Sequence, residues 1–359
     1  MRQLSLAVVA SFILAASANA GAAPLAGVST ATSTFADNVG GAINDVATKT
    51  YSINVSGMGT RLLDLNLQTF ITHTFPGDLD ITLRSPSGTE VRITSDNGGG
   101  NDNVFNGTIW DDQGGAAPTP VTDAAYATNV VQTRLQIEAA LAKFNGENPN
   151  GTWTLIVNDD AAIDTGNLSN WSLEVTTIDA PLSTQSFSAS SGDINLAILD
   201  NSTISTVISV AGQSGQIVDL DLTTFITHTF AGDLDITLQS PSGTIIVIST
   251  DNGGSNNNVF AGTIWDDQAD NPATDFIYTS GVVASRLVPE GALAGFFGEN
   301  PNGNWTLRVT DDAGGDIGSL QSWSLAFTTT VPGTVPEPGT LALLGLGLAG
   351  LAATRRRKQ

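Results

Sequence analysis

Phe70-Ile71-Thr72-His73-Thr74-Phe75-Pro76-Gly77-Asp78-Leu79-Asp80-Ile81-Thr82-Leu83 returns as Phe225-Ile226-Thr227-His228-Thr229-Phe230-Ala231-Gly232-Asp233-Leu234-Asp235-Ile236-Thr237-Leu238, an offset of 155 residues. Thr108-Ile109-Trp110-Asp111-Asp112-Gln113 recurs at the same offset as Thr263-Ile264-Trp265-Asp266-Asp267-Gln268. Further on, Gly146-Glu147-Asn148-Pro149-Asn150-Gly151-Thr152-Trp153 recurs as Gly298-Glu299-Asn300-Pro301-Asn302-Gly303-Asn304-Trp305 at an offset of 152, so the second copy carries a net deletion of three residues. A period near 150 residues is the size of a whole domain and too long for a solenoid unit. The reading is one domain written twice, at 30–178 and 184–330, joined by a short linker around Asp179-Ala180-Pro181.

Within each copy the dominant period is two. Leu63, Leu65 and Leu67 alternate with Asp64, Asn66 and Gln68; Leu79, Ile81 and Leu83 have polar neighbours, as do Trp153, Leu155, Val157 and Trp171, Leu173, Val175. Such alternation predicts strands with one wet face. Ser85-Pro86-Ser87-Gly88, Asp96-Asn97-Gly98-Gly99 and Asn148-Pro149-Asn150-Gly151 supply the turns between them. One helical candidate, Arg134 to Phe144, has a counterpart containing Pro289 and Gly291, so at most a short helical turn is expected in both copies. Many short strands without crossover helices predict an all-β chain: two tandem antiparallel jelly-roll sandwiches.

Of 359 residues, 35 are acidic and 13 basic, a formal net charge of −22, and there is no cysteine. Disulfides, thiolate metal sites and cysteine nucleophiles are thereby excluded, and the charge argues against nucleic acid or anionic lipid as a partner of the main body. Residues 1–20 run from Arg2 through an apolar stretch to Ala18-Asn19-Ala20, the form of a secretory signal peptide. At the other end, within 335–359, Pro336-Glu337-Pro338 precedes an uncharged run from Thr340 to Thr354 and then Arg355-Arg356-Arg357-Lys358. The apolar run is shorter than the roughly 20 residues of a comfortable membrane helix, with a cationic cluster to hold its end on the cytoplasmic side. A processed sorting tail fits better than a permanent transmembrane anchor. Without both ends the body would carry 34 acids and 8 bases.

The order of tail elements resembles the PEP-CTERM signal of Gram-negative bacteria. That resemblance implies an exosortase-type enzyme as partner at Pro336-Glu337-Pro338, export through the inner membrane, and a place in the envelope, on the cell surface or outside it, with membrane contact only through the C-terminal segment. The body, in turn, resembles the P/Homo B domain. The likeness is carried by His73 to Thr89, by Trp110-Asp111-Asp112, by Phe144-Asn145-Gly146 through Leu155, and by Gly166-x-Leu168-x-x-Trp171-Ser172-Leu173, with the same set at His228 to Thr244, Trp265 to Asp267, Phe297 to Leu307 and Gly318 to Leu325. In proprotein convertases and many bacterial subtilisin-like proteases this jelly roll follows the catalytic domain. Here no subtilisin-like domain precedes either copy.

Chemistry has few carriers. His73 and His228 are the two histidines, both in a Thr-His-Thr setting without a Gly-x-Ser-x-Gly nucleophile turn, and are expected to be structural rather than catalytic. Aspartates are the stronger candidates. Asp78 and Asp80 lie two apart on an expected strand and should share a face, Asp111 and Asp112 follow a strand, and Asp96 opens a Gly/Asn-rich loop. Asp233, Asp235, Asp266, Asp267 and Asp251 repeat the set. Facing carboxylates repel unless a cation lies between them, and oxygen ligands on loops select calcium; the family resemblance also implies calcium. Paired acids could instead cleave a glycoside, but these are too close in sequence to flank a sugar ring. Trp153, Trp171, Trp305 and Trp323 are expected in the core, while Trp110 and Trp265 fit either a core plug or an exposed contact.

Two functions fit these observations. One is a non-enzymatic, calcium-stabilised, envelope-sorted protein that binds surface polysaccharide or envelope protein or builds the surface or matrix. The other is an accessory that docks on a separate subtilisin-like serine protease.

Overall fold

The computed structural model describes residues 25–113 and 119–331. The expected signal peptide at 1–20 and sorting tail at 335–359 lie outside the described residues. Repeat 1 contains β1 (Thr30–Asp37), β2 (Gly41–Ile43), β3 (Ala47–Val55), β4 (Arg61–His73), β5 (Leu79–Arg84), β6 (Glu90–Ser95), β7 (Asn106–Trp110), β8 (Arg134–Leu135), β9 (Gly151–Asp159) and β10 (Gly166–Ile178). Repeat 2 follows with β11 (Thr184–Ser190), β12 (Leu196–Ile198), β13 (Thr203–Val210), β14 (Ile217–His228), β15 (Leu234–Gln239), β16 (Ile245–Thr250), β17 (Ala261–Trp265), β18 (Arg286–Leu287), β19 (Gly303–Asp311) and β20 (Gly318–Thr330).

Each repeat is two sheets face to face. In repeat 1 the order is β1-β10-β4-β7-β8, with β2 also on β10, against β3-β9-β5-β6; repeat 2 reproduces this as β11-β20-β14-β17-β18, with β12 on β20, against β13-β19-β15-β16. All named pairs are antiparallel except the two-residue β7–β8 and β17–β18 contacts, which are parallel. Register places Thr30 opposite Ile178 and Thr184 opposite Thr330, so each repeat begins and ends on neighbouring strands.

The period of two is realised in burial. Leu79, Ile81 and Leu83 are fully covered, as are Trp153, Leu155 and Val157 from β9 and Trp171, Leu173 and Val175 from β10. Phe144 meets Trp153 edge-on at 5.0 Å, and Phe296 meets Trp305 likewise at 5.0 Å. Such aromatic pairs add stabilisation beyond the area they bury. Trp110 and Trp265 are core plugs: both are fully buried, and their indole N–H groups donate to Thr69 and Thr224 at 2.9 Å. The helical candidate reduces to one 3-10 turn per repeat, Leu141–Phe144 and Leu293–Phe296.

The repeats pack on each other through a small-residue seam. Ala140, Ala142, Ala269, Val288 and Ala292 form one buried cluster separate from the two sandwich cores. Polar contacts cross it: Arg92 pairs with Asp275, and Lys143 donates to Asp270 at 2.8 Å. Asp123 reaches Glu290, and the field of Asp275 acts on Glu138. Since Asp123 and Asp275 are equivalent, as are Glu138 and Glu290, contacts exchange roles across the seam as they do about a two-fold axis. Across the seam Asp112 raises the carboxyl of its equivalent Asp267.

Candidate functional site

The ten aspartates singled out in the sequence separate into three settings in each repeat. Asp78 does not extend β5 as expected. It closes a 3-10 turn, Pro76–Asp78, ahead of the strand, so it does not share the strand face of Asp80. Its carboxyl is raised by burial and by the fields of Asp159, Asp164 and Asp160, with His73 acting in the opposite direction. Asp233 repeats this with Asp311, Asp316, Asp312 and His228.

Beside it, His73 is locked. Its Nδ1 lies 2.9 Å from the Phe75 carbonyl and its Nε2 3.1 Å from Asp159 Oδ2, and the residue is 1% exposed. His228 copies the arrangement at 2.7 Å to the Phe230 carbonyl and 3.1 Å to Asp311 Oδ2. The ring is accommodated by the glycine opposite: a Cβ on Gly166 would come within 2.5 Å of His73 Cδ2 and 2.3 Å of the Thr72 carbonyl, and Gly318 is equally constrained. Both ring nitrogens are engaged in both copies, which leaves neither imidazole a free position for general-base work. Asp159 Oδ1 and Asp311 Oδ1 are buried without a donor.

A second setting gathers Asp80 and Asp96 with Asp160 near the seam, matched by Asp235 and Asp251 with Asp312. Asp96 and Asp251 hold left-handed backbone at φ 60° and 57°, a conformation that Asp tolerates better than most residues. Asp235 is pushed up to about 6 by burial and by Asp251, Asp312 and Asp123.

The third setting changes the expectation for the Asp-Asp pairs. Asp111 and Asp266 are fully buried and pair with Arg134 and Arg286. Asp112 accepts the backbone N–H groups of Leu141 at 3.0 Å and Ala142 at 2.7 Å, and Asp267 those of Leu293 at 2.8 Å and Ala294 at 2.7 Å. These aspartates cap the 3-10 turns that line the seam. Burial pushes Asp112 up to about 7 and raises Asp267 well above the ordinary carboxylate range, while the amide bonds oppose the shift. The four side chains are therefore tied to cations and amides of their own repeat instead of joining Asp78 and Asp80 around a common ion. Among the described residues no three His, Asp or Glu side chains are grouped to hold a metal.

Three acidic positions of consequence lie outside that set. Asp159 and Asp311 hold the histidines. Glu147 binds the Ser-Pro-Ser-Gly-Thr turn, accepting from Ser87 at 2.6 Å and Thr89 at 2.5 Å. Glu138 and Glu290 are 3% exposed, each with one carboxylate oxygen on a backbone N–H and an Asn amide. All three positions recur in both copies, which was the available signal. A cleft of about 320 Å³ opens at the seam between Asn145 and Ala142 on one side and Asp219, Asp267 and Phe297 on the other.

Comparison with known proteins matches the proprotein convertase P-domain over residues 63–175 and 217–327, and a PEP-CTERM protein-sorting motif over 334–358. Leupeptin-inactivating enzyme 1 of Streptomyces exfoliatus is 30% identical over 148 residues, which is 40% of this chain and 26% of that protein. The chain thus spans about a quarter of the length of this curated relative. Among solved structures, the serine protease of Aeromonas sobria in complex with its chaperone aligns at 23% identity and a TM-score of 0.27, over 42% of this chain and 28% of that one. A β-porphyranase from Bacteroides plebeius aligns at 12% identity and a TM-score of 0.25, over 81% and 36%. No helix among the described residues is long and apolar enough to cross a membrane.

Proposed function

The chain belongs to the proprotein convertase P-domain family, in two copies followed by an export and envelope-sorting motif, and from that premise we propose a non-catalytic protein of the bacterial surface or extracellular matrix that works by binding. The observation that carries this reading is the state of the two histidines: both are buried with both ring nitrogens engaged, so each copy spends its imidazole on holding the loop at Phe75 or Phe230. The partner in this reading is a surface polysaccharide or an envelope protein, and an exosortase acts at Pro336-Glu337-Pro338. Calcium belongs to the proposal at the Asp78 and Asp233 ends. The donorless Asp159 Oδ1 and Asp311 Oδ1 support it, with backbone carbonyls and water completing the six to eight oxygens the ion takes.

A pull-down with the exported protein from envelope and medium tests the role. Polysaccharide or envelope protein in the eluate is the expected result. Enrichment of a subtilisin-like serine protease would replace it with the accessory reading, which the protease relatives favour. Proteolysis by the purified chain, abolished by His73→Ala with His228→Ala, would overturn both. For calcium, Asp78→Asn with Asp233→Asn should remove most of any calcium-dependent rise in unfolding temperature.

A further inference from the structure

The four-stranded sheets of the two repeats differ at their outer margins. β3 is that margin in repeat 1 and β13 in repeat 2; each pairs with one neighbour, β9 or β19, and among the described residues no strand lies along its other side. The opposite margins are occupied by the chain itself. β6 accepts the Glu138 and Ala139 N–H groups at its Ile93 and Arg92 carbonyls, and β16 accepts those of Glu290 and Gly291 at Ile248 and Val247. An open margin offers a row of unpaired N–H and C=O groups to any other strand, and proteins guard such margins with lysine and with charges that point inward.

Repeat 1 has the guard. Lys49 lies opposite the buried Val157, so it stands on the core side of β3, and Ser52 opposes Thr154 on the outer side. Repeat 2 lacks it. The equivalent positions are Ile204, opposite Val309, and Val207, opposite Thr306. Thr203–Val210 contains no charged residue in a body with 34 acids and 8 bases. Ile204 packs half-buried on the repeat 2 core, and Val207 is 49% exposed. The open margins of the other two sheets, β1 and β11, turn Thr30, Thr32 and Thr34 or Ser186 and Ser188 outward, and neither carries a large exposed apolar side chain.

We infer that β13 pairs with β13 of a second copy of this chain, antiparallel about a two-fold axis at Val207, so that two four-stranded sheets become one. The strand is complementary to itself in that register. On the outer side Val207 meets Val207 of the second copy, with Ser205 opposite Ser209. On the core side Thr206 meets Ile208 and Ile204 meets Val210, so β-branched side chains pair throughout and Ile204 gains the cover that repeat 2 leaves it without. A second copy suits this margin because the strand brings no charge to the axis, where two strongly acidic bodies must approach. Lys49 keeps β3 from doing the same, so the contact closes at two copies instead of growing into a filament.

The test is sedimentation velocity of the exported chain in chelator, which keeps it independent of calcium, for wild type, Val207→Lys and Ile204→Lys. One strand pair is a small interface, and a dimer with a dissociation constant of roughly 1–50 μM is expected. Val207→Lys sets two like charges face to face and should weaken the dimer at least about tenfold, with the unfolding temperature of the monomer unchanged because the position is exposed. Ile204→Lys copies the guard of repeat 1 and should act in the same direction. Since the chain has no cysteine, Val207→Cys supplies a clean second measurement: on oxidation it should form a disulfide-linked dimer much faster than Ser52→Cys at the equivalent place on β3. A wild-type chain that is monomeric at about 200 μM overturns the inference. So does a dimer that Val207→Lys leaves unaffected, or equal cross-linking at Val207→Cys and Ser52→Cys.

Discussion

Repeat 1 presents Arg92, Arg84 and Glu90 on the sheet surface where repeat 2 presents Val247, Gln239 and Ile245, yet beneath them Leu79, Ile81 and Leu83 are matched by Leu234, Ile236 and Leu238, all fully buried. Among the positions kept in both copies, Trp110/Trp265, Trp153/Trp305, His73/His228 with Asp159/Asp311, and Asp112/Asp267 are deeply buried. The exposed charges Arg84 and Glu90 could diverge because a surface substitution usually moves stability by less than about 0.5 kcal/mol. A buried tryptophan or an engaged carboxylate has no such latitude. The two repeats are thus each other's control: a change that matters should matter equally in both copies, and a change that does not should already be tolerated in one of them.

The largest disturbance comes from Trp153→Ala or Trp305→Ala, which empties the contact with Phe144 or Phe296 and should cost about 3–5 kcal/mol. Denaturant unfolding of each variant, followed by tryptophan fluorescence, should show the damaged repeat melting in a separate earlier transition. A single shifted transition would mean that the seam makes the repeats one cooperative unit. Next is His73→Phe or His228→Phe, which leaves Asp159 or Asp311 buried without its ring partner; a loss of about 1.5–3 kcal/mol is expected, equal in the two copies. Unequal losses by chemical denaturation would mark one His–Asp pair as more than structural.

Acidity should act on the seam. Asp112 has its folded pKa near 7 and Asp267 is raised as well, chiefly by burial, against an unfolded value near 4. A carboxyl raised in this way contributes stability that is complete below about pH 4 and lost as pH climbs through about 7, because the folded state binds the extra proton. In chelator, the unfolding temperature should therefore fall between pH 5 and pH 8, and Asp112→Asn should flatten that slope. A slope unchanged in the variant would place the titrating groups elsewhere. The smallest effect belongs to Arg84→Gln, which removes an ion pair with Glu90 whose side chains are 46% and 50% exposed. Repeat 2 already carries Gln239 and Ile245 there, and a change under about 0.5 kcal/mol is expected.

The architecture was legible because alternation and duplication are local signals: Leu79-Asp80-Ile81 fixes a pleat without reference to the rest of the chain, and a second copy confirms the pattern. The aspartates were harder to read, because their roles depend on partners distant in sequence. Asp111 is paired with Arg134, and Asp112 is held by the amides of Leu141 and Ala142, more than twenty residues on. His73 meets Asp159 at a separation of 86 residues. Adjacency at a strand end marks Asp111-Asp112 as a candidate ligand pair, while closure of the sandwich turns both inward. Leu79 and Ile81 carry the alternation on from Asp78 and predict that it belongs to the strand, but Pro76-Gly77 bends the backbone into a 3-10 turn first.

Entry and exit of each repeat on paired strands has a mechanical meaning. Tension applied between Thr184 and Thr330 acts at one end of the β11–β20 ladder, across its hydrogen bonds, so these break in succession as a zipper opens. Strands loaded along their length would have to lose many bonds together. A protein tethered at its C-terminus and pulled through its N-terminal side would therefore yield early and in small steps, lengthening under load before its cores give way.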